Sequence, residues 1–119
     1  MKKLFFVFLF LAAAVVSYAQ DVPADYPADL PKPMSAKFIS ISTDLGATTY
    51  NFESELSPLT IFESFKSEME KNKFVMNSQG SIVMSEAGGM VNWSKDEKTA
   101  LVVFSKKDDK TTSIVIVYK

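Results

Sequence analysis

The second half of this chain consists of short apolar runs, and the length of the segments between them constrains the fold more than any other feature. Those segments hold only a few residues, most of them polar or glycine, such as Gly88-Gly89. Connections of that length suffice for β-hairpins, whereas a parallel return needs a crossover of about a dozen residues. The sequence therefore predicts antiparallel strands. The apolar runs lie at residues 74–76, 82–84, 90–93, 100–104 and 114–118.

The segment before these runs predicts a hairpin followed by one helix. Residues 36–53 alternate between apolar and polar side chains on either side of a glycine-containing turn, as half-buried strands do. Ser57 can accept a hydrogen bond from a free helical amide, and Pro58 is tolerated at the first helical position. Apolar residues then recur at helical spacing, so we expect a helix over about residues 58–71, with Asn72 as its left-handed end.

These elements predict the α+β class. We expect an antiparallel sheet of about five or six strands with one helix packed on one face, in a ββαβββ-type order. The predicted organisation is a signal peptide at residues 1–19, a proline-rich N-terminal arm at 20–35 and a single domain at 36–119.

The first 19 residues have the pattern of a cleavable export signal. Two lysines at the start are followed by an uninterrupted apolar run over residues 4–16, and small residues precede Gln20, as at a cleavage site. The run is shorter than the roughly 20 residues that cross a bilayer. We therefore expect a protein that is exported, periplasmic or secreted, and that has no membrane span after cleavage.

Residues 20–35 hold four of the five prolines. Proline lacks a backbone donor and favours extended backbone, so the segment is neither a helix nor a central strand. Two interpretations remain open. The segment is either a ligand for a proline-binding module or, as we favour, a semi-rigid spacer or an arm lying along the domain.

The composition excludes several kinds of chemistry, because the chain has no histidine, cysteine or arginine. It therefore lacks imidazole and thiol groups for nucleophilic catalysis or for an ordinary zinc site. After signal cleavage, 11 lysines face 14 acidic residues, for a net charge of −3. Nucleic-acid affinity requires a basic surface. We expect no enzymatic activity, no cofactor or metal, and no nucleic-acid partner.

The last two apolar runs have apolar side chains on both faces of a strand. A helix is roughly 10 Å wide, whereas five or six strands span about 24 to 29 Å, so one helix covers two or three strands. If Leu101 and Val103 face the helix, their neighbours form an exposed apolar surface of several hundred Å², which monomers seldom leave bare. We predict an apolar contact surface at Ala100, Val102, Phe104, Val115 and Val117.

Four occupants could cover that surface: the proline-rich arm, a second copy of the chain, a foreign partner or an apolar ligand. The final strand adds another route, because a terminal strand at a sheet edge can pair with another chain. We therefore expect a protein partner or a homodimer through the C-terminal strands, unless the arm covers the sheet.

Two further groups of residues have a functional interpretation. Trp93 is either a stacking platform for a sugar ligand or part of the core. Three carboxylate pairs could in principle serve a hydrolase, but neighbouring strand residues point to opposite faces, and turn residues are usually solvated. The pairs are Glu53 with Glu55, Asp96 with Glu97, and Asp108 with Asp109.

The order of elements also resembles a known kind of protein. A proline-rich lead ending in Leu30-Pro31-Lys32-Pro33, a strand opening at Ala36, a helix opening at Ser57-Pro58 and a final meander resemble the small exported bacterial α+β domains of unknown function. The resemblance implies a fold and an envelope location and brings no catalytic residues. We expect an exported, non-catalytic binding or interaction domain. The alternatives are a self-associating structural envelope protein and, third, a carboxylate-dependent hydrolase.

Overall fold

A computed structural model of the chain describes residues 22–119, apart from the side chains of residues 78–83. The predicted signal peptide lies outside the described residues. The described chain contains one helix and an antiparallel sheet, which confirms the α+β class. In chain order the elements are β1 (Ala36–Asp44), β2 (Ala47–Ser54), α1 (Pro58–Lys71), β3 (Val75–Ser85), β4 (Gly88–Lys95), β5 (Lys98–Lys106) and β6 (Thr112–Tyr118).

The sheet has six strands in the order β1-β2-β6-β5-β4-β3, and all neighbours are antiparallel. The number of strands agrees with the predicted five or six; four of them follow the helix, so the element order is ββαββββ where a ββαβββ-type order was predicted. The last strand lies between β2 and β5 and is hydrogen-bonded on both sides. The expectation that the final strand forms a sheet edge is therefore wrong, and the edges are β1 and β3.

Strand β3 joins two apolar runs that the sequence predicted as separate strands. Gln79-Gly80, the expected separator, lies within this strand of 11 residues. The pairing of β3 with β4 shifts register between Asn77 and Ile82 and again before Ser85. Because β3 is an edge strand, these irregularities disturb one neighbour only, which is why bulges are common at sheet edges.

The helix begins as the sequence predicts. Ser57 has an extended backbone and its hydroxyl accepts a hydrogen bond from the Thr60 N–H at 3.2 Å. Pro58 occupies the start of the helix, where its missing N–H leaves no intrahelical bond unmade.

The end of the helix differs by one residue from the prediction. Asn72 has φ −91° and ψ 14°, whereas Lys73 adopts the left-handed conformation with φ 74°. The amide of Phe74 donates to the Met69 carbonyl at 2.9 Å, and that of Lys73 donates to Glu70 at 3.1 Å. This is the Schellman arrangement, which usually places glycine at the left-handed position.

One face of the helix and one face of the sheet form the core. Ile61, Phe65 and Met69 are buried, and the Phe65 ring meets Trp93 edge-on, with ring centroids 5.4 Å apart. Burying a side chain of this size stabilises the fold by about 1.5 to 3 kcal/mol. The buried apolar residues are Leu30, Tyr50, Phe52, Ile61, Phe65, Met69, Phe74, Val91, Trp93, Ala100, Val102, Phe104, Ile114 and Ile116.

The proline-rich segment is an arm that packs beside the helix, on the same face of the sheet. The Tyr26 ring lies edge-on to Tyr50, with centroids 4.8 Å apart, and its hydroxyl donates to the Pro31 carbonyl at 2.8 Å. Leu30 is buried in the core. The carboxylate of Asp29 forms an ion pair of 2.7 Å with Lys95. The arm thus covers strands that the helix does not reach.

Candidate functional site

The candidate site is the face of the sheet opposite the helix and the arm, called here the open face. Side chains alternate between the two faces of a strand. Burial alternates accordingly over residues 100–104 of β5 and 112–117 of β6, where residues with even numbers are buried and those with odd numbers are half-buried. Apolar residues occupy both sets, which leaves Leu101, Val103, Val115 and Val117 on the open face.

These side chains meet because of the strand register. Leu101 pairs with Val117 and Val103 pairs with Val115 across β5 and β6, while Met90 of β4 pairs with Val103 on the other side. Directly opposed side chains have Cβ atoms about 4.5 to 5.5 Å apart. Five half-buried apolar side chains therefore form one continuous surface in the middle of the open face. We call it the apolar block: Met90, Leu101, Val103, Val115 and Val117.

The predicted contact surface has to be corrected at three of its five positions. Ala100, Val102 and Phe104 are 0%, 0% and 1% exposed and face the helix. The Phe104 ring packs edge-on against Phe62 and Phe65, with centroids 5.9 and 6.2 Å apart. Only Val115 and Val117 lie on the open face, where Leu101, Val103 and Met90 accompany them in place of the three core residues.

A signal for the correct register was present in the sequence. The bulkiest apolar residue of β4 is Trp93, and that of β5 is Phe104. In β6, isoleucines at 114 and 116 alternate with valines at 115 and 117. Because the covered face buries the larger side chains, their parity indicates which face of each strand is inside.

Trp93 is part of the core, so the interpretation of this residue as a stacking platform is wrong. Its side chain is 0% exposed and lies against Phe62 and Phe65. Its indole N–H has no hydrogen-bond partner among the side chains and backbone groups that the structure describes. A sugar ring in solution therefore has no access to this indole.

Most of the side chains around the apolar block are polar and uncharged; the exception on β3 is Val75, which pairs with Ser94 and is 63% exposed. Asn51 donates to the Ser40 hydroxyl at 3.1 Å, and Asn77 and Ser94 are hydrogen-bonded at 3.3 Å. These contacts hold the border side chains in place beside the block. The border comprises Ser40, Thr49, Asn51, Asn77, Asn92, Ser94, Ser105 and Ser113.

Charged side chains lie at the ends of the open face, with Glu53, Lys37 and Lys107 at one end and Asp44 at the other. Lys107 Nζ donates a hydrogen bond of 2.6 Å to Glu53 Oε2, and this bond to the carboxylate raises the pKa of Lys107. The pair borders a shallow depression of 490 Å³, which Ile39, Ser40 and Ser113 also line. Between the two ends, the middle of the open face is formed by uncharged side chains.

The other paired carboxylates lie at the ends of the strands, where Glu55, Asp108 and Asp109 line one open depression. Asp96 and Glu97 lie in the turn between β4 and β5, and Asp108 and Asp109 in the loop between β5 and β6. The backbone amide of Lys110 donates to Asp108 and lowers the pKa of its carboxyl. Within residues 22–119, no three acidic side chains come together in a group that could hold a metal ion.

Helix and arm leave the open face without a second layer. Both pack on the opposite face, over the buried residues of the core. The proline-rich arm therefore covers the sheet, but on the side already protected by the helix. Within the described part of the chain, the apolar block is bordered only by its neighbours in the sheet.

No helix among residues 22–119 is long and apolar enough to cross a membrane.

The resemblance to small exported bacterial domains stays a prediction. Comparison with protein-family models, with curated proteins and with solved structures finds no significant match to this chain.

Proposed function

We propose that this chain is an exported, non-catalytic binding or interaction domain, and that the open face is its contact surface. The observation that supports the proposal is the apolar block in the centre of that face, with its border of uncharged polar residues. Protein interfaces have this anatomy, with an apolar centre depleted of charge and a polar rim. The corresponding ligand is an apolar surface on another molecule.

Export is supported by the N-terminal sequence. Two lysines, the apolar run over residues 4–16 and the small residues before Gln20 form the three parts of a secretory signal. A partner would then be met in the bacterial envelope or outside the cell.

The absence of catalysis is supported by composition and by geometry. The chain has no histidine or cysteine. Glu53 is held in an ion pair with Lys107, and Asp96 and Glu97 lie in a turn. Glu55 lines an open depression with Asp108 and Asp109, where the pKa of the Asp108 carboxyl is lowered, whereas a general acid needs a raised pKa. A hydrolase of the carboxylate type needs two carboxyls across one cleft. Turnover that disappears in Glu53→Ala or Asp96→Ala would contradict a non-catalytic function.

Val103 and its neighbour Val102 provide a matched test. Val103→Lys places a charge in the centre of the apolar block, where water can still solvate it, so the protein stays folded. Val102→Lys buries the same charge beneath the helix, and an unpaired buried charge costs about 3 to 5 kcal/mol or more. Thermal unfolding followed by circular dichroism should therefore separate the two variants.

Binding to the open face is measured with a defined probe and with a native extract. We expect 8-anilinonaphthalene-1-sulfonate to fluoresce less with Val103→Lys than with the wild type. We also expect immobilised Val103→Lys to retain less envelope material than the immobilised wild type. Ser67→Lys, on the exposed side of the helix, is the control and should behave as wild type. Equal probe binding and retention by wild type and Val103→Lys would contradict the proposal.

Self-association is the second candidate function. The predicted route through the edge of the last strand is closed, because β6 is central. A different strand supplies the observation that favours it, as argued next.

A further inference from the structure

Strand β1 forms one edge of the sheet. It extends over nine residues, Ala36–Asp44, and among the described residues it pairs only with β2. One side of β1 therefore presents a row of backbone N–H and C=O groups that an additional strand can bind.

The side chains of β1 do little to protect this edge. Ile39 and Ile41 are 45% and 41% exposed, and no charged or proline residue lies between Lys37 and Asp44. Natural edge strands are usually blocked by such residues in their centre. A bulge between Phe38 and Ser40 is the one irregularity in the pairing of β1 with β2.

The bulge makes β1 complementary to itself. In an antiparallel pair of two copies centred on Ile41, Ser40 lies opposite Ser42 of the second copy. Beyond the bulge, Phe38 then lies opposite Thr43, and Lys37 opposite Asp44. Ile39 is the extra residue of the bulge on each copy.

This register keeps every side chain on its own face of the sheet. Ser40 and Ser42 pair with Asn51 and Thr49 of β2, so they lie on the open face. Phe38 and Thr43 pair with Phe52 and Thr48, so they lie on the helix side. A pairing that mixed the two faces would place apolar against polar residues throughout.

The charges agree with the same register. Lys37 and Asp44 both lie on the open face, since they pair with Glu53 and Ala47 of β2. The twofold symmetry of the pair brings each lysine opposite an aspartate, once at each end. Opposite charges directly across two strands stabilise the pair, and like charges destabilise it.

We propose that β1 pairs antiparallel with β1 of a second copy, forming a twofold dimer with one continuous sheet of twelve strands. The twofold axis is perpendicular to the sheet at Ile41. Both open faces then lie on the same side of the dimer, and each apolar block remains free. The proposal is independent of the proposed contact function of the open face, because it uses a different surface.

Sedimentation equilibrium of the exported protein over a wide range of concentrations tests the proposal. We expect the mass to rise from one copy to two. Ile41→Lys brings two like charges together at the twofold axis and should weaken the dimer at least about tenfold. Leu45→Lys is the matched control, because Leu45 lies in the turn after β1 and is 90% exposed. It adds the same charge outside the pairing and should leave the dimer unchanged.

A charge exchange tests the register. Lys37→Asp and Asp44→Lys should each weaken the dimer, because each brings like charges together twice, and the double variant should restore it. Circular dichroism confirms that each variant is folded. The proposal is overturned by a single-copy mass at every concentration, by a double variant as weak as the single ones, or by a dimer that Val103→Lys dissociates and Ile41→Lys does not. The last outcome would show that the open faces associate.

Discussion

Adjacent residues of β5 have opposite environments, although they are chemically alike. Val102 is 0% exposed beneath the helix, and Val103 is half-buried on the open face. Successive side chains of a strand point to opposite faces, so a shift of one residue in register exchanges the two sets. That is why the predicted contact surface had the correct chemistry at β5 and the wrong parity.

Lys73 is a second position where a single residue departs from the common pattern. Its φ of 74° closes the helix, and a left-handed conformation costs a residue with a Cβ atom roughly 1 to 2 kcal/mol. Lys73→Gly removes that strain but adds disorder to the unfolded chain, at a cost of about 0.5 to 1 kcal/mol. We expect a net gain in the free energy of unfolding of up to about 1 kcal/mol, measured by urea denaturation.

Asn72→Gly is the comparison for this prediction. Asn72 has φ −91°, so glycine relieves no strain there and should lower the stability. It also removes the side-chain hydrogen bond of 2.9 Å that Asn72 donates to the Asp29 carbonyl. Equal effects of the two substitutions would contradict the assignment of the left-handed end to Lys73.

At the scale of elements, the arm and the helix share the work of covering one face. The helix packs against the half of the sheet formed by β3, β4 and β5. The arm closes the other half, where Tyr26 lies over Tyr50 and Phe52. The sequence predicted an arm from its prolines but could not predict its side. The choice depends on the tertiary positions of Leu30 and Tyr26, which pack against buried residues of the helix side.

Tyr26 provides a measure of arm docking that depends on pH. Burial raises the pKa of the Tyr26 phenol far above its ordinary value, with a further contribution from nearby Tyr50. The folded pKa is higher than the unfolded one, so Tyr26 contributes stability that is fully present below about pH 10. This stability is lost as the pH rises beyond that value.

Tyr26→Phe tests this prediction. At neutral pH the variant loses the hydrogen bond to Pro31, and its free energy of unfolding should fall by about 1 kcal/mol. Above about pH 10 the difference in the free energy of unfolding between wild type and variant should shrink, because only the wild type has a phenol at position 26 to ionise. The absorbance at 295 nm should show one phenol fewer among those that ionise last. A difference independent of pH would contradict the burial of Tyr26.

At the scale of the whole molecule, the two exposed features belong to different surfaces. The apolar block occupies the open face, and the edge of β1 lies in the plane of the sheet. A dimer through β1 leaves both blocks on one side, so self-association and partner binding are compatible. Each has its own disruptive variant, Ile41→Lys for the edge and Val103→Lys for the block.

Export is the prediction that depends on residues 1–19. Expressed with its own N-terminus in a bacterial host, the protein should be recovered outside the cytoplasm with Gln20 as its first residue, as mass spectrometry can determine. Leu9→Lys interrupts the apolar run over residues 4–16 and should retain the protein in the cytoplasm uncleaved. A wild-type chain that keeps Met1 and stays in the cytoplasm would contradict the prediction.

Local patterns in the sequence determined the secondary structure with few errors. Ser57 and Pro58 mark the start of the helix, and short connections require antiparallel pairing, because both effects act between residues close in the chain. The prediction that Gln79-Gly80 separates two strands was wrong because of contacts between residues far apart in the chain. A glutamine followed by a glycine in an edge strand resembles a turn, and the strand continues through them because β3 pairs with β4 on either side, at Asn77 and at Ile82.

Two properties were decided only by the tertiary structure: the central position of β6 and the side on which the arm packs. The strand runs at residues 100–104 and 114–118 are apolar on both faces, so the local pattern does not indicate which strands flank β6 or which face the arm covers. Contacts between residues far apart in the chain decide both: β6 pairs with β2 and β5, and Tyr26 and Leu30 pack on the helix side. The size of Phe104 indicated the buried face of β5, and the packing of Phe104 and Trp93 against the helix fixes it. The same packing decided which apolar residues were left for the open face.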